Sequence, residues 1–189
     1  MYVLGHATPE EVALVERETA LHEEVRKEIE AISVSLEKYA KSNAAAPDPT
    51  VKPFLMATID YMERLKAGEV PGNPPELQMN STAADYAQWL EREDLKLNEP
   101  LTDVKANIIG YTPTVLTAIV WLTAGAPPET HTDELEKFLI LEGTCDITIG
   151  DHIHSMKPGD VLFIPLHVSH NIRVTSNHPC KVILQRIAA

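Results

Sequence analysis

Imidazole and carboxylate side chains gather in the last third of the sequence at spacings that favour a metal site. His131 and Asp133 are two residues apart, so on a β-strand both side chains project to one face, and Glu129 shares that face. Glu136 opens the following apolar run, and His170 stands near the start of a later one. Nitrogen and oxygen ligands from separate strands suit a borderline divalent cation such as zinc, iron, manganese or nickel. The sequence therefore predicts a divalent metal site.

The segments that must position these side chains are predicted to be short β-strands. After Lys105 the apolar runs are rich in β-branched residues and are separated by Gly, Pro, Asp or Asn turns: VLTAIVWLT, FLILEG, CDITIG, VLFIP, HNIRVT and KVILQRI. This pattern is typical of a β-sandwich or a small barrel. The run FLIL is apolar at both alternating positions, so one face should fill the barrel and the other should meet a helix or a second subunit. We therefore expect a homodimer through this domain.

The first 45 residues are predicted to form acidic amphipathic helices. Thr8 can serve as the N-cap, Pro9 as the first helical residue and Glu11 as the third, which together make a capping box. Apolar side chains then recur at helical spacing as far as Tyr39, and we expect two helices with a break near His22. The segment has nine acidic and five basic side chains, a net charge of −4. Its apolar stripe either packs on the rest of the chain or binds a partner protein.

Residues 46–104 are predicted to be a linker with two short helices. The stretch AAAPDPTVKP, which leads into this segment, contains three prolines and is typical of a flexible joint. One helical pattern runs from Pro53 to Lys66, and a second starts after Ser81 or Thr82. The predicted domains are residues 1–45, 46–104 and 105–189.

Charge and hydropathy exclude several classes of function. The formal charge is −12 with no basic cluster, so direct binding to nucleic acid is not expected. The longest apolar runs fall far short of the roughly 20 residues that a membrane-spanning helix needs, so no membrane contact is expected. The sequence has no secretory signal pattern, which predicts a cytoplasmic protein. Cys145 and Cys180 are too few for a disulfide scaffold and are expected to be buried and reduced.

Two glycine-bounded motifs in residues 105–189 resemble those of the cupin superfamily. The first motif of that superfamily is a glycine, five residues, His-X-His, three or four residues, a glutamate, six residues and a glycine. The residues that match it here are Gly125, APPET, His131, Thr132, Asp133, Glu136 and Gly143. Asp133 stands at the position of the second histidine, and one residue fewer precedes the glutamate. The second motif is matched by Gly159, DVLFI, Pro165 and His170. His167 stands at one of its glycine positions and Val174 at its final asparagine position. The resemblance implies a mainly β C-terminal domain, a jelly-roll barrel or double-stranded β-helix, preceded by an α-helical region.

The resemblance also implies which side chains hold the metal. The implied ligands are His131, Asp133, Glu136 and His170, with zinc as the first expectation and iron, manganese or nickel as the others. Asp133 is preferred because Gly125 then falls in its motif position. A second register pairs Glu129 with His131 and leaves the usual four residues before Glu136. A cupin that has lost its metal is a further alternative, because a fold persists when a function is lost.

Three other histidines lie near these motifs. His152 and His154 are two residues apart, so they share one strand face and can chelate a metal, although we expect them on an exposed hairpin. His167 is expected in a loop, where it lines the mouth of the barrel or supplies a replacement imidazole.

The N-terminal helices resemble the sigma-binding domain of anti-sigma factors. The resemblance covers MYVLGHATPEEVALVERETALHEEVRKEIEAISVSLEKYA, and the YVLG step followed by a TPEE cap and a charged helix is its specific part. It is similar to the zinc-free kind of the RskA family, because the His-X3-Cys-X2-Cys zinc motif of other members is missing. Such domains have a further part-turn of helix upstream, which implies a natural start before Met1. A helical domain followed by a cupin is the architecture of ChrR-type anti-sigma factors.

These resemblances lead to two hypotheses of function. The first is an anti-sigma-factor-like regulator of transcription, whose acidic helices bind a sigma factor of the ECF type and whose metal-binding cupin acts as the sensor. The second is a metal-dependent cupin enzyme, an oxygenase or isomerase, in which the helices serve as an oligomer scaffold. The regulator is preferred because none of the cationic side chains after Lys105 stands in a motif position, where an enzyme would need one to hold an anionic substrate. No catalytic residue is therefore predicted.

Overall fold

The structure, a computed structural model, describes residues 1–189 and divides into two compact units, Met1–Pro47 and Asp48–Ala189. Four α-helices come before the strands: α1 (Pro9–Leu21), α2 (Glu23–Ser42), α3 (Val51–Lys66) and α4 (Ala87–Leu90). None of these helices has the combination of length and apolar character that crossing a bilayer requires.

The first unit consists of a short 3-10 turn at Tyr2–Leu4 followed by α1 and α2. The predicted capping box is confirmed, because the Thr8 hydroxyl accepts from the Glu11 amide and the Glu11 carboxylate accepts from the Thr8 amide. The predicted break is also confirmed, because His22 has an extended backbone that ends α1 and begins α2. No residue of the 3-10 turn or of either helix is buried.

The second unit contains two antiparallel β-sheets. Its strands are β1 (Val104–Tyr111), β2 (Val115–Leu122), β3 (Gly125–Glu129), β4 (Glu134–Glu142), β5 (Cys145–Ile149), β6 (His152–Met156), β7 (Val161–Ile164), β8 (His170–Val174) and β9 (Cys180–Ala188). One sheet has the order β1-β2-β9-β4-β7 and the other has the order β3-β8-β5-β6. The two sheets form a jelly-roll barrel, so the predicted fold class is confirmed.

The core of the barrel lies between the two sheets. Phe138, Ile147 and Leu184 are among its buried side chains, and all three come from different strands. Cys145 and Cys180 belong to the same cluster as free, buried thiols, as predicted. Alternate residues of each strand therefore fill the barrel with apolar side chains.

A second apolar cluster covers the outer face of the five-stranded sheet. Leu139 and Ile183 point outward from β4 and β9 and pack with Tyr86, Trp89 and Leu95 from the segment that precedes the barrel. The prediction that both faces of the FLIL run are buried is confirmed. The outer face meets the chain's own preceding segment.

Residues 46–104 differ from the expected linker with two short helices. The α3 helix has sixteen residues, and its Ala57 and Tyr61 belong to the barrel core. Farther along, the buried amide of Gln185 accepts from the Leu77 amide and donates to the Pro75 carbonyl. Most of this segment therefore covers the barrel, and only residues near Pro47 separate the two units.

Candidate metal centre

Four side chains, three from the two sheets and one from the connection between β3 and β4, converge inside the barrel. They are Glu129, His131, Glu136 and His170, and one ligand atom from each lies within 4.8 Å of those of the others. The shortest approach joins His170 Nε2 and Glu136 Oε2 at 3.1 Å, and His170 Nε2 lies 3.5 Å from Glu129 Oε1. The cluster thus offers two imidazole nitrogens and two carboxylates at one point.

Strand pairing brings these residues together although they are far apart in sequence. Glu129 is the last residue of β3 and pairs with His170, the first residue of β8. Glu136 lies on β4 in the other sheet, where it pairs with Arg186 on β9. His131 lies in the connection between β3 and β4, and its carbonyl accepts from the His167 amide. The site therefore lies where the two sheets meet.

Burial and charge set the protonation of the cluster. Glu136 and His170 are each 1% exposed. Burial alone would raise the pKa of the Glu136 carboxyl, but the two neighbouring imidazoles and the Arg186 guanidinium outweigh it and lower the pKa to about 2. Burial opposes the charging of His170, yet the carboxylates of Glu129 and Glu136 outweigh it and raise its pKa to about 9. Glu136 also raises the pKa of His131.

The geometry of His131 fits a metal ion. Its Nε2 atom is buried and has no hydrogen-bond partner, although buried polar atoms are almost always paired. That nitrogen lies 3.6 Å from Glu136 Oε2 and 3.9 Å from Glu129 Oε2. A cation held among these atoms would satisfy the unpaired nitrogen and offset the two carboxylates. The buried cluster could therefore hold a metal ion, and the donor set agrees with zinc, iron, manganese or nickel.

The structure brings together three of the four predicted ligands and leaves out Asp133. His131, Glu136 and His170 are in the cluster, whereas the Asp133 side chain is exposed and lies outside it. The prediction assumed that residues 131–133 form a strand with alternating sides, but they lie in the connection between β3 and β4, where residues 132 and 133 form a bend. Glu129, the alternative left open by the sequence, has its carboxylate in the cluster.

Sequence reasoning missed Arg186, which lies directly against the cluster. Its Nε atom donates to Glu136 Oε1 at 2.9 Å, and its Nη2 atom lies 3.8 Å from Glu129 Oε2. The side chain is mostly buried and its guanidinium stacks on the ring of Phe54 from α3, 4.9 Å from the centroid. The only available signal was a basic residue near the end of the strand KVILQRI.

The N-cap and the first turn of α3 border the space beside the cluster. Thr50 and Phe54 line this space together with Glu129, Glu136 and Arg186. Its volume is about 20 Å³, which is room for about one water molecule. In this conformation the barrel interior beside the cluster is therefore filled.

The remaining histidines lie outside the cluster. His152 and His154 are on β6, opposite Ile149 and Ile147 of β5, so the predicted hairpin is confirmed. His167 is exposed and has a φ of 61°, the left-handed region that a glycine would usually occupy. None of the three has its ligand atoms among those of the cluster.

Comparisons with known proteins agree with this fold. Residues 120–185 match the family model described as "Cupin domain", so the C-terminal half of the chain contains a cupin domain. No curated protein matches the chain.

Solved structures similar to the chain include two cupins and a predicted decarboxylase. The Cnp3 cupin domain of Schizosaccharomyces pombe is 19% identical, with a TM-score of 0.44 over 49% of this chain and 70% of that one. A predicted oxalate decarboxylase from Thermotoga maritima is 24% identical, with a TM-score of 0.43 over 46% and 81%. A cupin superfamily protein from Desulfitobacterium hafniense is 19% identical, with a TM-score of 0.45 over 64% and 100%.

Proposed function

We propose that this chain, whose C-terminal half is a cupin domain preceded by helices, is an anti-sigma-factor-like regulator of transcription with a metal-binding sensor. In this proposal the helices of residues 1–47 bind a sigma factor of the ECF type. The cupin domain binds a divalent metal ion and makes the interaction responsive to it. The protein acts in the cytoplasm, where sigma factors work.

The observation that carries the proposal is a helical unit without a core of its own. No residue of the 3-10 turn, α1 or α2 is buried, and the unit instead has an open groove of about 590 Å³. The groove is lined by the apolar side chains Met1, Tyr2, Val3, Leu4, Val15, Val25, Ile29, Ile32 and Leu36. A pair of helices gains most of its stability from packing an apolar face, so this face is suited to cover a partner.

The charge around the groove indicates a basic partner. Glu24 and Glu28 line the groove, and residues 1–45 have a net charge of −4. Acidic helices of this kind are complementary to the basic surfaces through which a sigma factor contacts polymerase and promoter DNA. Binding of an amphipathic helix in such a groove would block those contacts and so prevent transcription. The YVLG step, on which the resemblance to anti-sigma factors rests, forms one wall of the groove.

The cupin domain supplies the sensor in this proposal. Glu129, His131, Glu136 and His170 would hold the metal, with zinc as the first candidate and iron, manganese or nickel as the others. The bound ion would act as a Lewis-acidic centre of positive charge. Arg186 connects the cluster to α3, which follows directly after the joint between the two units. A metal can shift sigma binding only if its affinity differs between the free and the bound protein.

The alternative of a metal-dependent enzyme, an oxygenase or isomerase, has one observation in its favour. Arg186 is a cation beside the cluster, where it could hold an anionic substrate. The space there measures only about 20 Å³ and is lined in part by Phe54, so a substrate does not fit without movement of α3. This filled interior favours the sensor.

Co-purification tests the proposal. Each ECF sigma factor of the source organism is co-expressed with the full chain and with residues 48–189. One sigma factor should co-purify with the full chain and not with residues 48–189. The variant Ile29→Asp, in the groove, should abolish the interaction, whereas Val34→Asp, on the same helix outside the groove, should retain it. The proposal is wrong if no ECF sigma factor co-purifies, or if residues 48–189 bind as well as the full chain.

A further inference from the structure

The α3 helix has two apolar faces, and only one of them is covered. Phe54, Ala57 and Tyr61 face the barrel and pack against its core. The opposite face carries a stripe of large apolar side chains, each between 43% and 57% exposed: Val51, Leu55, Met56, Ile59 and Met62. Most of these recur every three or four residues, so they form one continuous line along the helix.

This stripe is a concentration of apolar surface, not a random scatter. The second unit has ten exposed large hydrophobic residues, and five of them lie on this one helix of sixteen residues. The other five are distributed over separate loops and strands: Val70, Met79, Tyr111, Leu135 and Ile153. A contiguous exposed apolar stripe of this kind marks an interaction surface.

The outer face of the five-stranded sheet is not free to bind a second copy of the chain. That face is occupied by the chain's own segment through Leu77, Tyr86, Trp89 and Leu95, all of which are buried. A homodimer through the cupin, which the sequence leads us to expect, must therefore use another surface. The outer face of α3 is the apolar surface that this unit leaves exposed.

We propose that α3 is the interface of an isologous homodimer, in which the α3 helices of two copies pack antiparallel about a two-fold axis. The charges that flank the stripe are self-complementary. Lys52 and Glu63 are both exposed, and neither forms an ion pair within the chain. They are eleven residues apart, about three helical turns, so they lie on the same flank of the stripe at opposite ends.

A two-fold axis between antiparallel helices produces two equivalent Lys52–Glu63 pairs. In an antiparallel pair of helices, the N-terminal end of one faces the C-terminal end of the other, and each flank meets the same flank. Lys52 of one copy then lies opposite Glu63 of the other, and the symmetry repeats the pair. A parallel pair would instead place these residues of the two copies on opposite flanks of the stripe, so Lys52 of one copy would not meet Glu63 of the other.

The size of the interface sets its expected strength. Specific stable interfaces bury about 1,200–2,000 Å² in total, and a single pair of four-turn helices lies at or below the lower end of that range. The dimer should therefore dissociate on dilution, with a dissociation constant on the order of micromolar. This dimer involves α3 alone and does not require sigma binding.

Sedimentation equilibrium of the full chain tests the interface. Between about 1 and about 100 µM, the wild-type chain should pass from monomer to dimer. Ile59→Glu should be monomeric over this range because it places a charge in the centre of the stripe. Ile153→Glu is the matched control, since Ile153 is also an exposed isoleucine but lies on β6, and it should dimerise like the wild type. Unchanged circular dichroism shows that each variant is folded.

Charge reversal tests the antiparallel register. Lys52→Glu and Glu63→Lys should each weaken the dimer roughly tenfold, because each turns two attractive contacts into repulsive ones. The double variant carrying both changes should restore the wild-type dissociation constant. A wild-type chain that stays monomeric at about 100 µM, for example because another part of the chain covers the stripe, would overturn the proposal. Equal dissociation constants for Ile59→Glu and Ile153→Glu would also overturn it. So would a double variant whose dimer is as weak as that of the single variants.

Discussion

Glu129 and His170 are cross-strand partners in the β3–β8 pair, and Oε1 of Glu129 lies 3.5 Å from Nε2 of His170. Because directly opposed residues of an antiparallel pair project to the same side, this pairing brings the Glu129 carboxylate to the buried imidazole. Asp133 follows in a bend and remains outside. Our ligand assignment therefore replaces Asp133 with Glu129.

Metal content should distinguish these two acidic residues. Glu129→Ala should weaken metal binding by roughly tenfold or more, since it removes one of four donor groups. His131→Ala should abolish stoichiometric metal. Asp133→Ala is the matched control and should bind metal like the wild type. Elemental analysis after dialysis measures all three, and a loss of metal in Asp133→Ala with retention in Glu129→Ala would reverse the assignment.

Arg186 should be essential for the stability of the metal-free protein. Replacing it by Met removes one of the cations that neutralise the buried Glu136 carboxylate, which should cost about 3 kcal/mol of unfolding free energy. Lys181→Met is the control, because its partner Glu142 is exposed and the expected cost is below about 1 kcal/mol. Urea denaturation in the presence of a chelator measures both. Equal losses for the two variants would mean that the Arg186 pair does not stabilise the barrel.

Gly125 should tolerate no side chain. Its φ is 140°, and an added Cβ would lie 1.9 Å from the carbonyl oxygen of Ile172 on the neighbouring strand, which must then move. Gly125→Ala should lower the unfolding free energy by about 3 kcal/mol or more. Gly159→Ala has the same kind of backbone strain with φ 92° but open space around the Cβ, so about 1 kcal/mol is expected. Thermal unfolding compares them, and a similar shift in both would contradict the role of the close approach.

Acid should destabilise the protein by protonating Glu69, whose carboxylate pairs with Arg64 of α3 and with Arg92. Hydrogen bonds from Arg92, aided by the charge of Arg64, hold the pKa of the Glu69 carboxyl below its ordinary value despite partial burial. A lowered folded pKa stabilises the protein above the ordinary pKa, and this contribution is lost as the pH falls through the folded value. Glu69→Gln should therefore lose stability at neutral pH and show a weaker decline in acid.

The control for this pH dependence is Glu91→Gln, because Glu91 is exposed and forms no ion pair. Its melting temperature should follow that of the wild type from about pH 6 to about pH 3. If Glu69→Gln and the wild type lose melting temperature equally over that range, the network does not contribute to acid sensitivity.

The two units should differ in their ability to fold in isolation. Residues 48–189 contain both apolar clusters and the metal cluster, so they should fold alone and bind metal like the full chain. Residues 1–47 have no buried residue in their helices and should be largely unfolded in isolation. Circular dichroism of each fragment measures this. A cooperative thermal transition of residues 1–47 alone would contradict the proposal that these helices need a partner.

Local patterns in the sequence predicted the elements that depend on neighbouring residues. The Thr8 capping box, the break at His22 and the alternation of the strands are encoded within a few positions, and each was found where expected. Burial of both faces of the FLIL run was also predictable, because it follows from the apolar character of consecutive residues.

Contacts between residues far apart in the sequence were harder to predict. Glu136 meets Arg186 only because β4 pairs with β9, fifty residues later in the chain. Trp89 and Leu95 cover the sheet because the segment folds back over it, whereas the proline-rich stretch at residues 44–53 suggested a linker instead. At Asp133 the assumed strand alternation failed because a bend interrupts it, and no residue pattern distinguished that bend from a strand.

The most direct test of the proposed regulator is the affinity of the full chain for the co-purifying ECF sigma factor in the metal-loaded and the chelator-treated state. Isothermal titration calorimetry should show affinities that differ by at least about fivefold between the two states, and this difference should vanish in His131→Ala. Equal affinity in both states would contradict a metal-responsive regulator, and absence of binding in either state would contradict the anti-sigma role itself.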